Sequence, residues 1–562
     1  MDAGFDLIMR PGRDPASAPN KPPLPPADYV MLEEGGLAVE RNARVPLRDG
    51  TIILADVYRP RGSAGEADLP TLLSWSPYGK HARSNQLFWP ASGVDPQWLS
   101  PLTPFEGPDP VFWCALGYAV VVVDPRGAWL SGGDFHHNGR QEAEDCFDTI
   151  GWIADQPWSN GKVAMTGVSY LAAVQYLVAP LKPPALAALN PWEGFSDWYR
   201  EFAYHGGIPE TGFVPRASDN IAYSLGRTED TWANVQAHPL IDAYWESKAL
   251  DLEAIEQPAF VVASWSDQGL HTRGTLEAFA RMRSREKWLE VHGQKKWAHY
   301  YRPESRARRR AFFDHFLKRR DTLVPAWPRV RIEVREAYGK CIERTEEEWP
   351  LARARPTPLW LAPEGLAPSP AEAETTIRYP ATSGRAVFDH RFDQDTEITG
   401  PMKLRLWVEA EGPDDMDLFV AIQKSDANGD PVGFGFYAFF ENGPVALGWL
   451  RASHRALDPD RSTPLRPWHP HDREEPLPAG QPVPVEIEIW PSSTLFRSGE
   501  TLRLVVQGTD IYAEGLPRLP FARHEQLRNR GTHVLHLGGR YDSHLLVPVI
   551  PPADAPEIPE QP

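Results

Sequence analysis

From Val45 to Pro60 the chain reads VPLRDGTIILADVYRP, with apolar and polar residues alternating on either side of Asp49-Gly50. Period-two alternation around an Asp-Gly pair predicts a β-hairpin entering a sheet. Two further apolar stretches follow, LPTLLSWSPYGK (Leu69 to Lys80) and GYAVVVVDPRG (Gly117 to Gly127). The unbroken run Ala119 to Val123 suits a strand covered on both faces, and such strands imply a parallel sheet flanked by helices. Between Glu142 and Gln156, EAEDCFDTIGWIADQ places Cys146, Ile150 and Ile153 at helical spacing, after which GKVAMTG returns to a short β pattern. Strand, helix, strand is the repeating unit of a doubly wound α/β domain.

From Pro191 to about Glu256 the pattern loosens into short aromatic-rich amphipathic pieces, which predict a helical insertion. The sheet resumes at PAFVVASWSD (Pro258 to Asp267) and KWLEVHG (Lys287 to Gly293). The segment ARRRAFFDHFLKRRD then puts Phe312, Phe313, Phe316 and Leu317 on one helix face and arginines on the other, read as a solvated basic face. After Glu348 the chain turns to short alternating strands such as MKLRLWVEAE, DLFVAIQKSD and TLRLVVQGTD, the signature of a β-sandwich. The expected organisation is an N-terminal arm (1–44), an α/β domain (45–190 and 257–349), a helical cap inserted in it (191–256) and a C-terminal sandwich (350–562).

Composition narrows the function classes. Lys and Arg number 58 against 76 Asp and Glu, a net charge of −18 in 562 residues, which opposes binding to nucleic acid or to anionic membrane surfaces. Three scattered cysteines, Cys114, Cys146 and Cys341, make neither a disulfide framework nor a zinc cluster. No basic start followed by an apolar run marks a signal peptide, and no apolar stretch approaches the ~18 residues needed to span a bilayer. The expectation is a cytoplasmic protein with a flexible N-terminal arm.

The candidate chemistry lies in GKVAMTGVSYLAAVQYLVAP (Gly161 to Pro180), where Ser169 stands between a β run and a helical run. A nucleophile needs a sharp strand-to-helix turn that exposes its hydroxyl, with a helix N-terminus beneath it. Gly167 removes a side chain where strand and helix would collide, and Ala172 and Ala173 keep the first helical turn small. Leu171, however, stands where G-x-S-x-G has its second glycine. A base and its orienting carboxylate should follow in the order Ser, Asp/Glu, His. Asp267 closes the apolar run FVVASW, and the next strand leads to His292 and His299 in VHGQKKWAHYY. His292 follows its strand at once, whereas His299 lies farther into the loop and is the preferred base. A turn-forming aspartate and a core histidine are the structural alternatives.

These motifs resemble the serine hydrolases that include cocaine esterase, X-prolyl dipeptidyl peptidases, α-amino-acid ester hydrolases and glutaryl acylases. The likeness runs through VPLRDGTIILADVYRP, SPYGK (76–80), DPRGAWLSGG (124–133), QPWSNGKV (156–163), GVSY (167–170), WSD (265–267) and the Gly293, Trp297, His299 pattern. It continues into LPAGQPVPVEIEIWP and LFRSGETLRLVV. The resemblance implies an α/β-hydrolase domain with an inserted helical cap and a C-terminal jelly roll. It also implies a Ser169–Asp267–His299 triad, with an oxyanion hole made by the Tyr78 hydroxyl and the backbone N–H of Tyr170. Family members carry G-x-S-Y-x-[G/A], which Ala172 satisfies.

The resemblance further implies hydrolysis of a small ester or amide through an acyl-enzyme on Ser169, without metal or organic cofactor. His136-His137 and His469 with His471 lack a third ligand at suitable spacing and read as loop histidines. Trp192, Trp198 and Phe202, with Tyr199 and Tyr204, are candidates for an apolar substrate pocket. Glu193, Asp197 and Glu201 recur every four residues and would suit recognition of a substrate amine, as in the amino-ester hydrolases, or simply form a solvated acidic face. Two alternatives therefore stand beside the esterase: an amine-recognising peptidase or amino-ester hydrolase, and a catalytically silent binding scaffold. The arm before Val45 is short for the additional N-terminal domain that the peptidases often carry. Large cap and sandwich surfaces are compatible with a homodimer.

Overall fold

The Asp49-Gly50 hairpin forms between β1 (Leu37–Pro46) and β2 (Ile52–Pro60), with Pro46 opposite Ile52 and the turn closed by Leu47 N–H donating to the Thr51 carbonyl at 2.8 Å. The computed structural model describes residues 5–18, 28–63, 68–80, 92–512 and 522–551. Next come β3 (Leu69–Trp75), β4 (Ala119–Asp124), α1 (Arg140–Ala154), β5 (Ser159–Val168), α2 (Tyr170–Val178) and β6 (Leu186–Trp192). After the insertion follow β7 (Ala259–Ser264), α3 (Thr272–Arg281), β8 (Lys287–His292), α4 (Lys296–Tyr301) and α5 (Pro303–Lys318).

The sheet runs β1-β2-β4-β3-β5-β6-β7-β8, parallel from β4 onward, with β2 antiparallel to both neighbours. Every residue of β4 is buried, as its apolar run requires. Val120 and Val122 pack in one cluster with Phe260 and Val262 of β7 and with Phe312, Phe313 and Leu317 of α5. Each such side chain contributes about 1.5–3 kcal/mol by leaving water. One arginine of α5 departs from the expected solvated face: Arg309 is buried, its guanidinium 3.9 Å from the Tyr300 ring centroid and its Nη2 donating to the Tyr300 carbonyl at 2.6 Å.

The chain divides into two compact units, one of residues 1–203, 211–331 and 437–439, the other of 204–210, 332–436 and 440–562. Within the first, the insertion consists of short pieces, including a π-helical turn Tyr199–Ala203 and helices Phe213–Asn220, Thr231–Ala237 and Ala243–Glu246. The stretch expected to be a flexible arm is partly built into sheet. Met9–Pro11 pairs with Arg227–Glu229 of the insertion, and Val30–Glu34 pairs with β1. Much of its Pro-rich segment, residues 19–27, lies outside the described residues.

The second unit is a β-sandwich. β9 (Thr396–Glu411) pairs with β10 (Val483–Phe496) and with Thr532–Leu537 and His544–Ile550, while Asp417–Ser425 pairs with Thr501–Gln507 and Ala446–Arg451. Alternate residues of the facing strands, Leu404, Leu406 and Val408 against Leu418, Val420 and Ile422, share one core, as period-two strands dictate. This unit starts near residue 332, earlier than the expected 350. The reason is local: Arg335 pairs with Thr494 and donates to the Ser493 and Val445 carbonyls at 3.2 and 3.1 Å. No helix among the described residues is long and apolar enough to cross a membrane.

Candidate active site

Ser169 occupies the junction of β5 and α2 with φ +62° and ψ −115°, a conformation that costs a non-glycine residue energy and throws its side chain out of the sheet. Its N–H donates to the Trp192 carbonyl at 3.0 Å, and its own carbonyl accepts from Ala172 and Ala173, both at 3.0 Å. Gly167, at φ +156°, is required because a Cβ there would lie 2.5 Å from the Leu171 Cβ. The leucine that breaks the common motif thus fills the space that Gly167 leaves. On the other side, Gly194 gives room to Ala172, whose Cβ would stand 3.1 Å from a Cβ added at Gly194.

His271 is the histidine against Ser169: its Nε2 lies 3.0 Å from the Ser169 Oγ, and its Nδ1 makes a short hydrogen bond with the Asp267 Oδ2. Asp267 follows β7, and its carbonyl accepts from the N–H groups of Leu270, His271 and Thr272, folding Asp267-Gln268-Gly269-Leu270-His271 into one turn before α3. Residues four apart on such a turn are neighbours, so loop and helix start bring carboxylate and imidazole together. All three side chains are buried.

His299, expected over Ser169, is elsewhere. On α4 its Nε2 lies 2.8 Å from the Glu290 Oε1, and its ring stacks on His292 with centroids 3.6 Å apart. The seat beside Asp267 is taken by Lys296, one turn earlier on α4, whose Nζ lies 2.9 Å from the Asp267 Oδ2 and 3.4 Å from the His271 Nδ1. SDQGLH carried a readable signal, a histidine four residues after the candidate carboxylate. The family pattern, which places the base after the following strand, points past it to His299.

Tyr78 lies in the loop after β3, its hydroxyl within hydrogen-bonding reach of the Ser169 and Glu106 side chains. Its ring meets Phe105 edge-on at 5.1 Å and Tyr170 at 6.5 Å. As the first residue of α2, Tyr170 presents an N–H with no partner one turn back in the helix. Its hydroxyl is anchored on Glu142, 3.0 and 2.9 Å from the two carboxylate oxygens. Glu106 accepts from the Trp297 indole at 2.9 Å, and burial pushes its carboxyl up to about 7 against the pull of Lys296.

Electrostatics around the imidazole favour its neutral form. Burial and then the Lys296 ammonium bring His271 down to about 4, with Asp267 acting the other way. Burial works against the Asp267 charge, but Lys296 and His271 overcome it and hold the carboxyl well below its usual range. Glu193, buried and facing Asp267, is raised well above the carboxylate range. Glu193, Asp267 and His271 are the metal-capable group among the described residues, with donor atoms within 4.8 Å of one another. Because Lys296 already meets this charge and His271 is engaged on both nitrogens, we assign no ion there.

The expected pocket residues separate. Trp198 lies 6.4 Å from Tyr170 and 4.7 Å from Phe195, and Phe195 lies 4.6 Å from the His271 ring, with Phe202 at 5.7 Å from Phe195. Phe195 was not singled out in the sequence. Trp192 turns to the core instead, donating to the Asn190 Oδ1 at 2.9 Å and meeting Tyr300 edge-on at 5.0 Å. The three carboxylates do not form a shared acidic face. Glu193 accepts from the Ser264 hydroxyl at 2.9 Å, Asp197 pairs with Arg200 at 2.5 Å, and Glu201 pairs with Arg273 at 2.7 Å while accepting from the Ser196 N–H, also at 2.7 Å.

An α/β sheet carrying a strained serine elbow, joined to a β-sandwich, defines a hydrolase class. Residues 49–222 match the family model of the X-Pro dipeptidyl-peptidase (S15 family), and residues 324–546 match that of the X-Pro dipeptidyl-peptidase C-terminal non-catalytic domain. The crystal structure of a CocE/NonD family hydrolase from Staphylococcus aureus is similar at TM-score 0.87 and 39% identity, over 93% of this chain and 96% of that one. Cocaine esterase from Rhodococcus sp. (strain MB1 Bresler) is 27% identical over 398 residues, 60% of this chain and 64% of that enzyme, so the match spans just under two thirds of it. An α-amino acid ester hydrolase, at 17% identity and TM-score 0.69, shares the fold. The chain belongs to the cocaine esterase and X-prolyl dipeptidyl peptidase family of serine hydrolases.

Proposed function

We propose that the protein is an esterase that cleaves small apolar acyl esters through an acyl-enzyme on Ser169, with His271 as base and Asp267 orienting it. The observation that carries this reading is the continuous hydrogen-bonded chain from the Ser169 Oγ to the His271 Nε2, at 3.0 Å, and from the His271 Nδ1 to Asp267. The Ser169 Oγ attacks the ester carbonyl as the His271 Nε2 takes its proton. Tyr78 O–H and Tyr170 N–H donate to the oxyanion of the tetrahedral intermediate. The protonated imidazole then passes its proton to the departing alkoxide, leaving the acyl group on Ser169. Water, deprotonated by the same nitrogen, attacks the acyl carbonyl, and collapse of the second intermediate returns the proton to the Ser169 Oγ. Asp267 accepts the Nδ1–H throughout and so fixes the tautomer.

Phe195, Trp198 and Phe202 beside His271 support an apolar acyl or aryl group. Recognition of a free amine draws less support, since Glu201 is held by Arg273 and Asp197 by Arg200. The name of the Rhodococcus relative points the same way. The test compares turnover of an aryl acetate with that of an X-Pro anilide, in the wild type and in Ser169→Ala. Ester turnover that vanishes in the variant, with anilide turnover lower in the wild type, is expected. Ester turnover unchanged in Ser169→Ala would sink the proposal.

A further inference from the structure

Lys296 is a buried ammonium that the proposed reaction does not use, yet it touches the two groups on which the base depends. It lies on α4, 2.9 Å from the Asp267 Oδ2, the same oxygen that binds the His271 Nδ1, and 3.4 Å from that nitrogen. Asp267 above all keeps it charged despite its burial, with Glu193 and Glu106 adding to this only where they are ionised. The groups facing His271 are Asp267 from its own turn, Lys296 from α4, Ser169 from the elbow and Glu193 from the end of β6. Arg273, in the first turn of α3, pairs with Glu201 of the Tyr199–Ala203 turn.

We propose that Lys296 is a positioning residue: it clamps the Asp267 carboxylate and opposes charging of His271, so that the imidazole remains a proton acceptor in acid. The inference rests on His271 being the base. An Asp–His pair without a neighbouring cation favours the imidazolium, because the carboxylate attracts it. An ammonium on the same carboxylate oxygen cancels much of that attraction and repels the second proton. The direction of the His271 shift, with Lys296 second only to burial, agrees with the geometry. The protein would then hydrolyse esters at a pH where an ordinary histidine base is already protonated.

The experiment is the pH profile of kcat/KM, which reports the free enzyme's base, for the wild type, Lys296→Met and Lys296→Arg with one aryl ester. Fluorophosphonate labelling of Ser169 is followed in each. In the wild type the acidic limb should lie at about pH 5 or below, under the ~6.5 of an unperturbed histidine. In Lys296→Met it should move up by about one unit or more, an approximately tenfold or greater loss of kcat/KM on the acid side relative to the plateau. Lys296→Arg should restore the wild-type limb. A merely structural lysine would lower the plateau without moving the limb, and that result overturns the proposal. So does a wild-type limb at the ordinary histidine value, which needs no variant to fold. Wild-type protein unlabelled at Ser169 would instead remove the serine reading itself, and the inference with it.

Discussion

At the residue scale the site turns on which histidine faces the serine. The order expected along the chain, a serine, then a carboxylate, then a histidine, is also the order of the three side chains that lie together, Ser169, Asp267 and His271. Identity was not legible, because a loop histidine after β8 and a histidine one turn beyond Asp267 both satisfy that order. Only the fold of the turn before α3, with three N–H groups on the Asp267 carbonyl, decides between them. The Glu290 contact commits His299 to the core, and burial together with the neighbouring His292 brings its imidazole down to about 3 against the pull of Glu290. The tyrosine at 78 was legible through the family motif alone. If Tyr78 donates to the oxyanion, Tyr78→Phe should lower kcat by about 10²–10³-fold with KM little changed. Steady-state kinetics on an aryl ester checks this, and an unchanged kcat would transfer the role elsewhere.

Among elements, the hydrophobic pattern predicted β4, α1 and the sandwich strands well, since two-sided burial and period-two alternation leave direct marks on sequence. The elbow was harder to read because Leu171 breaks the expected motif. In the structure that leucine packs into the gap above Gly167, so the turn keeps its shape with one glycine fewer. Gly167→Ala should therefore cost about 1–3 kcal/mol of stability and disturb Ser169 directly, through both the clash and a backbone that disfavours alanine. Denaturant unfolding with parallel ester assays tests it, and a variant of wild-type stability and activity would refute the packing argument. The insertion was least legible. Its short aromatic pieces carry weak periodicity, and whether Trp192 or Phe195 faces His271 depends on the bend after β6.

For the whole molecule, buried ionisable groups set how stability responds to pH. Burial holds His137 and His299 at about 3, and His271, His454 and His533 at about 4, below the ordinary 6.5. As pH falls below 6.5 the unfolded chain binds protons that these residues refuse when folded, so stability is lost. Burial raises Glu106, Glu142 and Glu201 to about 7 and Asp124 to about 6. These groups hold protons when folded that the unfolded chain releases, so stability is gained as pH falls from 7 toward the ordinary carboxylate range. The two trends oppose each other down to about pH 4.5, below which the histidine loss is joined by the loss from carboxyls that cationic partners hold low when folded, Asp267, Glu290 and Glu336 among them. Calorimetric Tm should be nearly flat from pH 7 to about 5 and fall steeply below about 4.5. A steady decline beginning at pH 7 would show that the carboxyl groups are ionised in the folded protein.

The central claim, that Ser169 works with His271, is tested most directly by kcat for aryl-ester hydrolysis in His271→Ala and His299→Asn measured side by side. His271→Ala should lose about 10³-fold or more, while His299→Asn, which keeps a hydrogen-bonding group toward Glu290, should stay within about threefold of wild type. The reverse pattern, with His299→Asn inactive in folded protein and His271→Ala competent, would contradict the account.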